Sequence, residues 1–163
     1  MSEEQKNVES QEEKVQKCHK YMGPTLFNLT WDYIDKGENR TPEDELMMIH
    51  ATHASALHWR LNRDSKPENF ARGEWQVSRV YALLGRAKES MYHAELCLEI
   101  CKENGIGDWD IAFAYEACAR AAMVAKAPDT MEKYLKLARE ATALVKDKGD
   151  REMVEGDIES IKL

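Results

Sequence analysis

The chain has 163 residues, of which 43% are hydrophobic and 33% are charged, and its formal net charge is -7. This length supplies one sizeable core, the acidic balance argues against broad binding to nucleic acid, and no apolar run is long enough to cross a membrane. Four cysteines without CxxC spacing are typical of a reducing compartment, so we expect a cytoplasmic protein.

The predicted secondary structure is entirely helical, because no run of alternating β-branched residues predicts a strand. Residues 1–20 are highly charged and are expected to be a loose helix or disordered, whereas residues 21–163 are expected to form a single all-helical repeat domain. Pro24 and Pro42 are placed in first turns, where a missing N–H is harmless, and Gly149 is placed between helices. The predicted helices cover residues 24–36, 42–62, 68–84, 88–103, 108–126, 129–147 and 150–161.

Two segments of the chain match each other at an offset of 34 residues. The sequence GEWQVSRVY begins at Gly73, and GDWDIAFAY begins at Gly107. Glycine, an acidic residue, tryptophan and tyrosine recur at this offset, which indicates an internal repeat. The helices that follow match at an offset of 40 instead, for example Met91 with Met131, which predicts a longer second unit.

A 34-residue helix–turn–helix unit with an aromatic residue early in its first helix resembles the tetratricopeptide repeat. The resemblance covers about residues 68–147, and residues 24–62 are a helix pair without the motif. The usual central Leu-Gly is Ser78-Arg79 here, and the usual closing proline is absent. The resemblance implies an all-α, tetratricopeptide-like right-handed array of about seven antiparallel helices. The alternative is an ordinary helical bundle with a duplicated helix pair.

The resemblance also implies a binding surface, because the first helices of successive tetratricopeptide units line a concave face that holds a peptide. On that face we expect arginine and aromatic side chains, which suit a peptide or an acidic ligand. The candidate partner-binding residues are Arg72, Trp75, Arg79, Arg86, Trp109, Phe113, Glu116 and Arg120. Alternatively, Trp75 and Trp109 are core residues. The arginines would then be solvated or would pair with Glu68, Glu74 or Glu116.

The segment HATHASALHW, residues 50–59, contains three histidines in nine positions. At about 100° per residue, His50 and His53 lie about 60° apart on a helix and could share a metal ion. A zinc or iron site needs three or four ligands. Further ligands could come from Asp32 and Asp35 on the preceding helix, or from a stripe on another helix that is formed by His93, Cys97 and Cys101. The alternative is that these side chains are hydrogen-bonded packing residues.

The chain contains no GxSxG, P-loop, GxGxxG or HExxH motif, so we expect neither an enzyme nor a cofactor. The predicted function is a protein-binding, peptide-binding or scaffold module that uses an Arg/Trp-lined concave face. Its partner is a protein or peptide, an acidic one included, and not a nucleic acid or a membrane. The alternative function is a metal-binding helical-bundle enzyme that uses His50 and His53. The amphipathic segment 150–163 is expected to cap the array or to form a homodimer contact.

Overall fold

The computed structural model describes residues 10–162, and the regular structure in this range is helical throughout. The seven α-helices of the described range are α1 (Gln11–Ile34), α2 (Pro42–Leu61), α3 (Pro67–Leu83), α4 (Ala87–Glu103), α5 (Asp108–Val124), α6 (Pro128–Thr142) and α7 (Lys148–Glu159). A short 3-10 helix, Gly37–Asn39, separates α1 from α2. The predicted all-α array of about seven helices is therefore confirmed. None of these helices is both long and apolar enough to span a bilayer.

The helix starts from α2 to α7 lie within two residues of their predicted positions. At the start of α2 the local chemistry is clear. The side chain of Thr41 accepts the N–H of Asp44, and Pro42 is the first residue of α2. The predictions are wrong at two places near the C-terminus: α6 ends at Thr142 rather than at residue 147, and Gly149 lies inside α7.

The predicted start of the first helix at residue 24 is also wrong, because α1 begins at Gln11. Ser10 and Glu13 form a capping box in which each side chain accepts the backbone N–H of the other residue. Pro24 lies inside α1 with an exposed side chain, and its ring removes one N–H from the helix. The expected boundary between residues 20 and 21 falls within α1, and residues 1–9 lie outside the described range.

The helices pack in the order of the chain. The antiparallel pairs are α1–α2, α3–α4 and α5–α6, and each pair packs on the next through the α2–α3 and α4–α5 contacts. Alternate helices also meet, because α1 contacts α3, α3 contacts α5, and α5 contacts α7. This nearest-neighbour arrangement is that of a helical array. The last helix, α7, packs on α5 and α6 and buries Val154 and Ile158, and Ile161, which follows the helix, is buried in the same cluster.

The repeat unit is longer than the sequence match predicts. The starts of α3 and α5 are 41 residues apart, and so are the starts of α4 and α6. The offset of 34 does not join equivalent positions, because Gly73 lies in the interior of α3 whereas Gly107 is the N-cap of α5. The offset of 41 does: Gly85 and Lys126 follow α3 and α5, with left-handed φ values of 71° and 56°.

The helix that contains HATHASALHW packs closely on α1 because its inward face carries small side chains. Ala51, Thr52 and Ser55 are buried. The hydroxyl of Ser55 donates a hydrogen bond of 2.7 Å to the carbonyl of Gly23 on α1. A Cβ atom at Gly23 would lie only 3.0 Å from the indole of Trp59. The segment is therefore part of a packing helix, and the contact between its Trp59 and Gly23 of α1 sets the distance between α1 and α2.

Candidate functional site

A pocket of about 360 Å³ opens on the face that is formed by α1, α3, α5 and α7. Five aromatic side chains line it: Phe27 and Trp31 from α1, Trp75 from α3, and Trp109 and Phe113 from α5. Ala71 and Cys97, which are both buried, also line it, and Met153 contributes from α7. The first helix of each pair therefore contributes to one apolar cavity.

The aromatic side chains support one another in the walls of the pocket. The ring of Phe113 lies 5.2 Å from that of Trp75 and 5.8 Å from that of Trp109, both in edge-to-face geometry. Trp31 packs against Trp75 at 5.8 Å. Trp75 and Trp109 are half-buried and also pack against the core cluster around Phe113. These tryptophans thus belong to the core on one side and to the pocket on the other.

An ion pair forms the polar edge of the pocket. Arg72 donates from Nε and Nη2 to the two carboxylate oxygens of Asp110, with both distances at 2.8 Å. These hydrogen bonds raise the pKa of Arg72. The guanidinium carbon lies 4.3 Å from the ring centroid of Trp109. The pair therefore fixes this indole in place by a cation–π contact, and it leaves Nη1 outside the bidentate contact.

A buried charge network lies next to the pocket. Glu116 is fully buried and accepts hydrogen bonds from Arg120 Nε at 2.6 Å and from Arg79 Nη2 at 3.5 Å. Arg79 Nη2 also donates to the Asp157 carboxylate of α7 at 2.5 Å. Arg120 Nη2 donates to the backbone oxygen of Asp157 at 2.9 Å and to the Ser160 hydroxyl at 2.8 Å. This network fastens α7 to α3 and α5.

The eight predicted partner-binding residues therefore divide into three groups. Those in the pocket are Arg72, Trp75, Trp109 and Phe113, and those in the buried network are Arg79, Glu116 and Arg120. Arg86 lies apart from both groups, at the N-cap of α4, where its guanidinium is 5.9 Å from the ring centroid of Tyr81. In the buried network Arg79 and Arg120 pair with Glu116, which is the pairing expected if these arginines are not free to bind a partner.

Sequence reasoning did not include Phe27, Trp31, Asp110 or Met153 in the site. Phe27 and Trp31 are four residues apart, so they lie on one face of α1. That spacing marks an aromatic stripe. This stripe reaches Trp75 only because α1 contacts α3, and no sequence motif predicts that contact.

The histidines of α2 occupy different environments. His50 is exposed, whereas His53 Nε2 is hydrogen-bonded to the Tyr81 hydroxyl at 2.9 Å. The predicted approach of His93 to α2 occurs, since its ring lies 5.6 Å from that of His53. His93 Nδ1 in turn donates to the buried carboxylate of Glu74 at 2.7 Å. Both histidines are thus held by hydrogen bonds within the protein.

The candidate metal ligands do not assemble into a three-ligand site. Burial, with a smaller effect from the nearby His93, lowers the pKa of His53. The hydrogen bond with Cys101 and burial raise the pKa of Cys97 well above its ordinary value, so this thiol is a poor thiolate ligand at neutral pH. Among residues 10–162, no group of three or more His, Cys, Asp or Glu side chains is placed to hold a metal ion.

Comparisons with known protein families, with curated proteins and with solved structures found no match for this chain.

Proposed function

We propose that the protein is a divergent tetratricopeptide-like binding module, which captures a partner protein or peptide and does not catalyse a reaction. The observation that carries this proposal is the aromatic-walled pocket on the face formed by α1, α3 and α5. In the tetratricopeptide family, which the chain resembles, the first helices of successive units form the peptide-binding face. The period of 41 residues, in place of 34, is the main departure from that family.

The pocket favours a large apolar or aromatic side chain as its ligand. Its volume of about 360 Å³ falls within the range of about 300–1,000 Å³ that is common for ligand sites. Burying about 150–250 Å² of an aromatic side chain there contributes roughly 4–6 kcal/mol before the entropic cost of association. Tryptophan and arginine, which form its walls and edge, are the residue types enriched at binding hot spots.

The polar edge gives the ligand an orientation. Arg72 uses Nε and Nη2 for Asp110, which leaves Nη1 as its donor for a backbone carbonyl of the bound peptide. The other arginines of this face, Arg79 and Arg120, already hold the carboxylates of Glu116 and Asp157. The proposal therefore centres on an apolar anchor residue rather than on an acidic ligand.

Peptide selection followed by pocket variants tests this function. Peptides are selected from a random displayed library on the wild-type protein, and their affinities are measured by fluorescence anisotropy. Met153→Trp adds bulk at the pocket from a position that is 62% exposed, and Trp109→Ala removes a wall. The matched control is Tyr92→Ala, an exposed aromatic residue of α4 that does not line this pocket.

We expect the selected peptides to share one large apolar or aromatic residue. Their binding should weaken by about tenfold or more in Met153→Trp and Trp109→Ala, which corresponds to about 1.4 kcal/mol or more. Tyr92→Ala should bind as the wild type does, and circular dichroism should show that all three variants remain helical. Peptides without such a residue, or peptides that bind Met153→Trp as tightly as the wild type, would show that the pocket is not the binding site.

A further inference from the structure

Two histidines face each other across the first helix pair. His19 lies on α1 and His58 lies on α2, with their Nδ1 atoms 2.9 Å apart. The ring centroids are separated by 5.0 Å, and the rings are tilted by 55°. Both side chains are half-buried, so the pair is partly accessible to water. One ring carries a hydrogen on Nδ1 and donates it to the bare Nδ1 of the other ring.

We propose that His19 and His58 form a two-histidine site for a divalent transition-metal ion that takes nitrogen ligands at right angles, such as Ni(II) or Cu(II). An imidazole nitrogen lies about 2.0–2.1 Å from its metal ion. Two such nitrogens at a 90° angle are about 2.9 Å apart, so the hydrogen-bonded pair already holds its Nδ1 atoms near chelating distance before the rings turn, and square-planar nitrogen sites are typical of these ions.

Metal binding at this pair requires a rearrangement of one hydrogen. The ion takes the place of the hydrogen that the two Nδ1 atoms share, and both rings turn about their Cβ–Cγ bonds to aim at the ion. The ring that carried the Nδ1 hydrogen takes the Nε2–H form, so two neutral rings release no proton. Burial, together with the nearby His19, lowers the pKa of His58, which favours the neutral form that binds metal.

Contacts on both sides of the pair hold the two helices in register. Gln16 Nε2 donates to the carbonyl of Leu61 at 3.2 Å, and Gln16 Oε1 accepts from the backbone N–H of Arg63 at 3.0 Å. Lys20, the residue after His19, pairs with Asp64 at 2.9 Å, so its positive charge has a carboxylate partner. The two ligand nitrogens are therefore brought together by the fold itself, which lowers the entropic cost of binding the ion.

The ion would keep open coordination positions. In the part of the chain that the structure describes, no third His, Cys, Asp or Glu side chain completes a ligand cluster. Water, or a donor group from a partner, would fill the remaining positions. We therefore expect an exchangeable ion, unlike the fully enclosed ion of a structural zinc site.

Calorimetric titration of the untagged, chelator-treated protein with NiCl2 tests the proposal. We expect one equivalent to bind and the midpoint of thermal unfolding to rise as Ni(II) is added. His19→Gln and His58→Gln should each weaken binding by at least about tenfold, because even outer-shell partners of a metal site contribute about 10–100-fold. The controls are His50→Gln, which removes an exposed histidine, and Cys18→Ser, which removes the exposed thiol beside His19.

Both controls should bind as the wild type does. Electron paramagnetic resonance of the Cu(II)-loaded wild type reports nitrogen ligation without any substitution, and it should show two coupled nitrogens. The proposal is wrong if the wild type does not bind Ni(II), if either histidine variant that remains helical binds it as tightly, or if Cys18→Ser abolishes binding.

Discussion

Replacement of the buried carboxylate in the charge network is expected to destabilise the fold strongly. Glu116→Gln keeps the size of the side chain but removes the negative charge that lies between Arg79 and Arg120. Both guanidinium groups are only about 10% exposed, so water cannot replace the lost partner. Asp157 would then be the one carboxylate left to both arginines within the described network.

The structure sets the scale of this effect. Breaking a buried ion pair from one side costs about 3–5 kcal/mol, which is a large part of the roughly 5–15 kcal/mol of a typical domain. At about 2–4 °C per kcal/mol for a domain of this size, the unfolding midpoint should fall by about 6–20 °C. The end of α7 should loosen first, because the network holds Asp157 and Ser160.

Thermal and urea unfolding followed by circular dichroism measure the change. The matched control is Glu140→Gln, which removes an exposed carboxylate 4.0 Å from Lys136 and should change the free energy of unfolding by less than about 1 kcal/mol. Adding Arg120→Gln to Glu116→Gln should cost less than the sum of the single changes, because the two side chains are coupled. A loss below about 1 kcal/mol for Glu116→Gln would refute the reasoning.

Two further predictions concern the first helix pair. Gly23→Ala should lower the free energy of unfolding, measured in urea, by about 1 kcal/mol, because the new Cβ would lie 3.0 Å from the Trp59 indole. The control Gly156→Ala, whose Cβ would have nothing within 4 Å, should raise the free energy of unfolding by about 0.5–1 kcal/mol. Equal effects of the two substitutions would contradict a tight contact between Gly23 and Trp59. Acidification from pH 7 to 5 should destabilise the protein, because burial lowers the pKa of both His53 and His58, so the unfolded chain binds protons more readily than the folded chain. The free energy of unfolding should be highest above about pH 6.5, and His58→Gln should reduce its dependence on pH. If the pH dependence is the same in His58→Gln as in the wild type, His58 does not contribute to it.

The start of α2 could be predicted because a cap and a first-turn proline stand together in the sequence. Thr41 and Pro42 specify the start of α2 by themselves. The start of α1 was missed because Pro24 resembles a first-turn proline, whereas the capping box at Ser10 lies upstream. Helix α1 continues through Pro24, and at the neighbouring Gly23 it packs against α2.

The candidate site was predictable only in part, for a similar reason. Trp75, Trp109 and Phe113 could be placed on one face because aromatic residues of the first helices share it. The offset of 34 that suggested them is not the structural period. The carboxylate partners of Arg72 and Arg79 could not be predicted, since Asp110 is 38 residues from Arg72 and Asp157 is 78 residues from Arg79. Such contacts depend on how the helices stack.

The most direct test of the binding function uses the indole N–H signals of the tryptophans in a two-dimensional nitrogen–proton spectrum. Trp31, Trp75 and Trp109 line the pocket, whereas Trp59 packs against Gly23 outside it. Titration with a selected peptide that carries one aromatic anchor should shift the three pocket signals and leave that of Trp59 in place. Saturable binding that leaves all three pocket signals unmoved would contradict the proposed function.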